Sequence, residues 1–470
     1  MVQFKRPEPD KPNFRDQLAT IDEHGKRKWV YAKKPKGKLT NYRSIVAAIL
    51  IAFLFIGPFL KINGKEFLLL NFLERKIVVF GMQFWPQDFH LFFLAMISLF
   101  IFVILFTVTY GRIWCGWACP QTIFMEFIFR KVEYLIEGNA RDQKILNEGP
   151  WTTNKIIRKT LKHGVFYGIS FLISNMFLAY IIGIEELQKL VTDNPFNHLS
   201  SLAAMLIFSG VFYFIFAHFR EQVCTAVCPY GRLQGVLLDR NSIVVAYDYK
   251  RGEPKGTFFK GEDRKKAEKG DCINCTQCVQ VCPTGIDIRN GTQLECINCT
   301  ACIDACNSMM DAVGQKRGLI RYASETMIAE KKAWKFTIRS GFYTAVLIVF
   351  LGLIGFSFAN RSSVETILLR APGMLYQEHP DGKVSNLYNI KFINKTDDVM
   401  PVEIILTSHK AELQFVGEKI TVAPQTMAES VFFIFFEKEN ITGKQMDLQL
   451  EIRSEGEIIE LIETTFVAPN

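Results

Sequence analysis

The chain has 470 residues, 49% of them hydrophobic, with 41 Phe and a net charge of +8. Leu, Ile and Phe crowd into a few long stretches while the remainder is highly charged, a segregation that excludes a single soluble core and marks a membrane protein. The length allows about three domains, and where the charge lies says more than its modest size.

Residues 1–43 are rich in Lys, Arg and Pro, carry 12 Lys and Arg, and lack periodicity. They read as a mostly flexible basic arm on the cytoplasmic side. A nucleic-acid-binding arm is not expected, because a membrane span follows at once, and no cleavable signal peptide is visible. Five apolar stretches then approach the roughly 20 residues a helix needs to cross a bilayer: Ser44–Leu60, Phe89–Tyr110, Val165–Ile184, Leu199–Phe219 and Phe336–Phe358. The runs Phe67–Leu73 and Ile77–Phe84 are too short to span and predict an interfacial hairpin, with Trp85 at headgroup level.

Orientation follows from the basic residues between spans. Lys and Arg number 12 in 1–43, 4 in 61–88, 8 in 111–160, 1 in 185–198 and 18 in 220–335. This strict alternation of high and low places the N-terminus and residues 111–160 and 220–335 in the cytoplasm, and carries the C-terminal part to the periplasm. All 12 cysteines lie at or before Cys306, so the exported part has none.

The first four spans form an internal repeat. Each hairpin of two helices ends in C-x-x-x-C-P: Cys115 to Pro120 after span two, and Cys224 to Pro229 after span four. Two cysteines four apart share one face of a helical turn. A four-helix bundle with the pairs side by side would offer Cys115, Cys119, Cys224 and Cys228 to one site. Soft thiolates suit a third iron–sulfur centre or Cu(I), and inert packed cysteines are the plain alternative. Trp114 and Trp117 read as interfacial anchors. His90, His163, His198 and His218 fall at span ends, where interfacial roles are commoner than the paired ligation of a haem.

The polar stretch 233–270 is a linker or docking loop. Beyond it, Cys272, Cys275, Cys278 and Cys282 form one C-x-x-C-x-x-C-x-x-x-C run, and Cys296, Cys299, Cys302 and Cys306 a second. That spacing holds the cubanes of a two-cluster bacterial ferredoxin, with the last cysteine of each run reaching the other cluster. Cys272, Cys275, Cys278 and Cys306 are therefore the expected ligands of one [4Fe–4S] cluster, and Cys296, Cys299, Cys302 and Cys282 of the second. Zinc prefers its ligands in pairs, and disulfides do not suit a reducing compartment. The second run ends Cys306-Asn307, without the usual proline, which shapes backbone and binds no metal. Met309-Met310 reads as cluster packing.

From Asn360 the pattern changes to short β-rich runs between turn residues: Leu387–Ile393, Val402–Leu406, Leu413–Phe415, Lys419–Val422, Val431–Phe436, Leu448–Ile452 and Ile458–Val467. About seven strands in roughly 100 residues predict an immunoglobulin-like sandwich, of the kind that binds a protein partner. Its scattered Met374, His379, Met400, His409 and Met427 read as structural. The fold class expected is thus a polytopic α-helical membrane protein of about five spans, with an inserted ferredoxin-like dicluster domain and a C-terminal all-β sandwich. The segments are a basic arm (1–43), a four-helix membrane domain (44–232), a ferredoxin-type domain (233–335), a fifth span (336–358) and the sandwich (360–470).

Five spans, two C-x-x-x-C-P mouths, the cysteine runs from Cys272 to Cys306 and a terminal sandwich together resemble the cytochrome c oxidase accessory protein family, CcoG (also FixG or RdxA), over essentially the full length. The membrane half is also similar to NapH-type quinol dehydrogenases. The first resemblance implies a bacterial inner-membrane protein assisting assembly of a cbb-type cytochrome c oxidase as a cupric-reductase-like oxidoreductase that turns Cu(II) into Cu(I). It implies as partners that oxidase or its copper chaperones and transporters, with an electron donor the sequence does not name. The second implies a quinol-fed electron relay. A non-enzymatic assembly scaffold, with structural clusters and a docking sandwich, is the third alternative.

Overall fold

The computed structural model describes residues 19–21, 24, 26–62, 64–72, 76–84, 88–264, 266–360, 364–371, 375–380, 382–396, 398–417, 420–424, 426–454 and 456–469. The positions of Trp85 and Met374, the first residues of the basic arm and the start of the strand expected at Lys419 lie outside them. The chain divides into two compact units, Met1–Gly352 and Leu353–Asn470.

Five helices in the described residues are long and apolar enough to cross a bilayer: Lys38–Phe59, His90–Tyr110, Thr153–Ile182, Leu199–Phe219 and Ile338–Ala359. Their apolar side chains point largely outward; Phe93, Leu99, Phe100 and Ile207 are all more than half exposed. Contiguous exposed apolar surface of that extent is stable in lipid and costly in water. The inward faces of spans one, three and four meet the segment 123–129 in a core of Ala47, Ile123, Phe124, Phe129, Phe166, Ile173 and Phe216. Phe129 stacks on Phe216 with centroids 4.6 Å apart and meets Phe166 edge-on at 4.9 Å. A buried hydroxyl pair, Ser174 and Ser209 at 2.7 Å, joins spans three and four, a polar contact typical of helices packed in a bilayer.

The third span begins at Thr153, 12 residues before the expected Val165. Thr152 caps it by accepting from the Lys155 amide at 3.3 Å. Its first turns stay helical because their lysines find acids elsewhere in the chain: Lys162 bonds Glu133 at 2.9 Å and Lys159 pairs with Glu137 at 2.7 Å. The short apolar runs after span one form the expected hairpin, with strands Leu68–Asn71, Lys76–Val79 and Met82–Phe84 antiparallel in order.

The cysteine-rich insert is organised by an antiparallel strand pair, Val244–Tyr247 with Ile320–Ala323, and the helix Ala301–Ala312. The second unit is a two-sheet sandwich. One sheet runs, in order, Glu412–Val416, Met427–Glu437, Lys383–Asn394 and Val364–Arg370, and the other Glu403–Leu406, Gln445–Ser454 and Glu457–Val467. Alternate residues of Gln445–Ser454 are buried, the period-2 signature of a sheet with one wet face. The core between the sheets holds Tyr388, Phe392, Phe432, Phe436, Leu448, Leu450 and Phe466. All seven expected strand regions lie in or overlap strands. The edge strand Val364–Arg370 escaped sequence reading, because its run Ile367-Leu368-Leu369 hides the alternation.

Candidate functional site

The two cysteine runs share a local sequence, C-I-N-C-T, and a local shape. Asn274 and Thr276 in the first run, and Asn298 and Thr300 in the second, all have positive φ, between 55° and 63°. Four non-glycine residues in left-handed conformation at matching places represent strain of the kind that gathers at functional sites. Such turns expose successive backbone N–H groups as a concavity for anions, a recurring feature of iron–sulfur sites. Asn307, which replaces the usual proline, accepts from the Gly318 amide at 2.9 Å and tethers the end of the second run.

The fold brings the last cysteine of each run to the other run. Cys306 lies within electrostatic reach of Cys272 and Cys275, and Cys278 of Cys275 and Cys306. Cys302 lies within reach of Cys296, Cys299 and Cys282. Cys282, Cys296, Cys299 and Cys302 line one cavity together with Cys278, Val245, Ile286 and Ile288. Cys272, Cys278 and Cys306 pack with Met310, Val245 and Ile303. Burial pushes the Cys278, Cys296 and Cys306 thiols up to about 12, so a metal must displace a proton from each to bind. The donor set fits two cubanes: soft sulfur in two groups of four, buried or half-buried, with backbone amides reaching Cys296, Cys299 and Cys306.

The C-x-x-x-C-P pairs also meet. Cys224 is within electrostatic reach of Cys115, Cys119 and Cys228, and Cys115 of Cys119 and Cys228. The geometry departs from two cysteines on one helical face. In each pair the first cysteine is helical and the second has left the helix: Cys119 at φ −63°, ψ 125° and Cys228 at φ −69°, ψ 114°. Both second cysteines donate their amide five residues back, Cys119 to Trp114 at 3.0 Å and Cys228 to Val223 at 2.7 Å. Proline follows each and starts a new helix, where its missing N–H costs nothing. The fully buried Gln234 donates its amide to Cys115 Sγ at 3.3 Å. Among the described residues no three His, Cys, Asp or Glu side chains converge as ligands of a single ion; in a cubane each thiolate bonds a different iron, and such convergence is not required.

These mouth cysteines abut the second run. Cys115 and Cys224 pack against Val281, Ile297, Cys299 and Ala301. Gly116 makes the approach possible, since a Cβ there would fall 2.6 Å from the Ile297 carbonyl oxygen and 2.7 Å from that of Asn298. Trp117 donates to Tyr322 at 2.9 Å, and Tyr322 in turn to the Asn298 carbonyl at 3.3 Å.

Comparison with known proteins agrees with this anatomy. Residues 92–138 match the model of a 4Fe-4S binding domain, 219–325 that of a 4Fe-4S dicluster domain, and 354–469 that of the IG-like fold at the C-terminal of FixG. The chain is 32% identical over 432 residues to Protein RdxB of Cereibacter sphaeroides, covering 87% of this chain and 90% of that one. It is 31% identical to Protein RdxA of the same organism, covering 78% and 80%, and 30% identical to the nitrogen fixation protein FixG of Rhizobium meliloti, covering 84% and 82%. The chain belongs to the FixG/RdxA family. It is a membrane-associated iron–sulfur electron-transfer protein with 4Fe-4S domains and an immunoglobulin-like C-terminal domain.

Two features of this FixG-family chain escape sequence reading. The expected flexible arm is, over residues 26–43, a strap bound to both the cysteine-rich insert and the membrane part. Lys33 donates to Gln280 at 2.8 Å, Tyr134 to Ala32 at 2.9 Å, and the Thr40 amide and hydroxyl to Asp304 at 2.7 and 2.8 Å. The second feature is a buried charge network below the bundle. Arg220 is 2% exposed, pairs with Glu133, and lies over the Trp29 ring at 4.6 Å, with Arg27 on the same ring at 4.4 Å. Burial would raise the Glu133 carboxyl, but Arg220, Lys162 and Arg130 overcome it and hold it at about 2. The histidines keep end-of-span partners: His163 with Tyr213 at 2.9 Å, His198 with Asp193 at 3.0 Å, and His218 stacked on Phe214.

Proposed function

We propose that this chain carries single electrons from a cytoplasmic donor through two [4Fe–4S] clusters to the C-x-x-x-C-P thiols, and there reduces Cu(II) to Cu(I). The product would serve a cbb-type cytochrome c oxidase, or the copper chaperones and transporters that supply it. The observation that carries the reading is the packing of Cys115 and Cys224 against the cluster of Val281, Ile297, Cys299 and Ala301, which sets the mouth site beside the second run. Cys272, Cys275, Cys278 and Cys306 hold one cluster in this scheme, and Cys296, Cys299, Cys302 and Cys282 the other. Bound there, the clusters supply one-electron storage at potentials set by charge, hydrogen bonds and exposure.

The chain's own residues do the rest. Gly116 sets the approach between the mouth and the second run, Gln234 orients Cys115, and the strap fixes the insert against the membrane part. Cu(II) is in this scheme a passing substrate that meets the thiols of Cys115, Cys119, Cys224 and Cys228, not a resident ion held by three or more of them; it gains one electron, and thiolates prefer the Cu(I) that results. The alternation of basic residues supports an inner-membrane orientation with N-terminus and clusters cytoplasmic and the sandwich periplasmic.

Purified protein reduces Cu(II) in this scheme, and Cys115→Ser and Cys224→Ser abolish the reduction while iron content holds. Unchanged reduction removes those residues from the mechanism, and quinol oxidation without Cu(II) reduction selects the quinol relay. Iron and sulfide analysis counts the centres: about eight irons per chain mean two cubanes, and more mean a further centre at the mouth cysteines. Oxidase assembly that survives redox-inert clusters selects the scaffold.

A further inference from the structure

Among the described residues, two buried arginines near the second cysteine run form no ion pair. Arg43 is 3% exposed; its Nε donates to the Gly116 carbonyl at 2.9 Å, its guanidinium lies over Phe127 at 5.1 Å, and its Nη2 has no hydrogen-bond partner among the described residues. Arg112 is 4% exposed; it donates to the carbonyls of Leu294, Cys296 (3.5 Å) and Gly231 (2.7 Å), and its Nε has no partner among the described residues. Arg43 is held one residue from Cys115 and within electrostatic reach of Cys299, and Arg112 within reach of Cys115 and Cys296. Glu126, whose charge reaches Cys299, is engaged by Arg130 at 3.1 Å. A buried cation with an idle donor costs several kcal/mol unless an anion lies beside it. The first run carries less such charge: Arg289 is clasped by Asp287 (2.6 and 2.8 Å) and Arg251 pairs with Asp271, which leaves Arg264, 5% exposed and donating to the Cys272 carbonyl at 3.1 Å, as the buried cation there with an idle donor among the described residues, against two at the second run.

We propose that Arg43 and Arg112 are positioning cations that set the potential of the centre at Cys296–Cys302, raising it above that of the centre at Cys272–Cys278. This rests on the cluster reading above. One-electron reduction adds a negative charge to a four-thiolate cluster, and an unneutralised buried cation favours the more negative state. An electron leaving the Cys272–Cys278 centre then runs downhill to the one against the mouth cysteines, oxidising the first and reducing the second.

The test is an EPR-monitored titration of anaerobically purified full-length protein, with dithionite supplying the electrons. Unmodified protein should show two one-electron waves. Arg43→Gln and Arg112→Gln should each lower the reduced-to-oxidised ratio of the higher wave about tenfold at fixed potential, about 59 mV, and leave the lower wave in place. Arg43→Lys, which keeps the charge, should hold the higher wave near its original position. A single wave in unmodified protein overturns the proposal, as do glutamine variants with full iron and both waves unmoved. If a glutamine variant sheds iron, Arg43→Lys decides: a higher wave that falls as iron is kept overturns the role of charge. Unmodified protein without iron fails the cluster reading itself, a separate result.

Discussion

The two hairpins that end in C-x-x-x-C-P make the same turn with different chemistry. Four residues before the first cysteine, the backbone takes φ 58°, ψ −130° at Gly111 and φ 51°, ψ −120° at Arg220. Glycine adopts that conformation at no steric cost. An arginine there costs about 1–3 kcal/mol and persists only where its surroundings over-determine it. The first hairpin is thus shaped by local backbone freedom, with room for no Cβ: one at Gly111 would fall 2.5 Å from the Ile243 carbonyl oxygen. The second is shaped by tertiary electrostatics, with Arg220 held by Glu133 and Trp29. Near-identical loops can be specified from below or from outside.

The sharpest way to break this contrast is Arg220→Ala. It leaves Glu133 buried with fewer cations and removes the clamp on a strained turn, a loss of about 3–5 kcal/mol, read as a drop in thermal unfolding temperature of detergent-solubilised protein. The same network gives a pH signature. The folded Glu133 carboxyl is held at about 2, below its unfolded value near 4.5, so its contribution is complete above the unfolded value and is lost as pH falls toward the folded one. Unfolding temperature should therefore drop through the window from about 4.5 to about 2, and Arg220→Ala should flatten that drop.

A smaller effect should follow Gly116→Ala. The added Cβ meets two backbone carbonyls, which cannot rotate away as a side chain would. Overpacking of this type costs about 1–3 kcal/mol. Its distinctive readout is functional: full iron content, with slower Cu(II) reduction as the second run is pushed off the mouth. Normal reduction in a folded Gly116→Ala variant would show that the close approach is packing alone.

What could be read from the chain divides along the same line as the hairpins. The five spans, both cysteine runs and seven of the sandwich strands are written in local periodicity and spacing, and the fold has helices, turns and strands there, the third helix starting 12 residues early. The strap and the charge network are written in pairings far apart in the chain: Thr40 with Asp304, Arg27 with Glu221 at 3.3 Å, Lys162 with Glu133. Nothing local says that Lys159 and Lys162 will pair with Glu137 and Glu133, acids well before them in the chain, so the third helix looked shorter than it is. The meeting of the C-x-x-x-C-P pairs was legible from their repetition. Their shape was not, because the proline that ends each motif draws the second cysteine out of the helix.

The smallest predicted effects test whether the hairpins support each other. At the position after the repeated Cys-Pro step, the first hairpin has Gln121 and the second Tyr230. Gln121 donates to the Arg220 carbonyl at 3.2 Å, and Tyr230 shares a 2.7 Å hydrogen bond with Thr107 in the span that precedes Gly111. Each hairpin thus sends one side chain to the base of the other. Gln121→Ala and Tyr230→Phe should each cost about 1 kcal/mol, the net worth of one hydrogen bond. If the two contacts clamp a single unit, the double variant should depart from the sum of the singles by about 0.5 kcal/mol or more. Strict additivity in thermal unfolding would mean that the turns at Gly111 and Arg220 are built independently, and that only the thiols between them are shared.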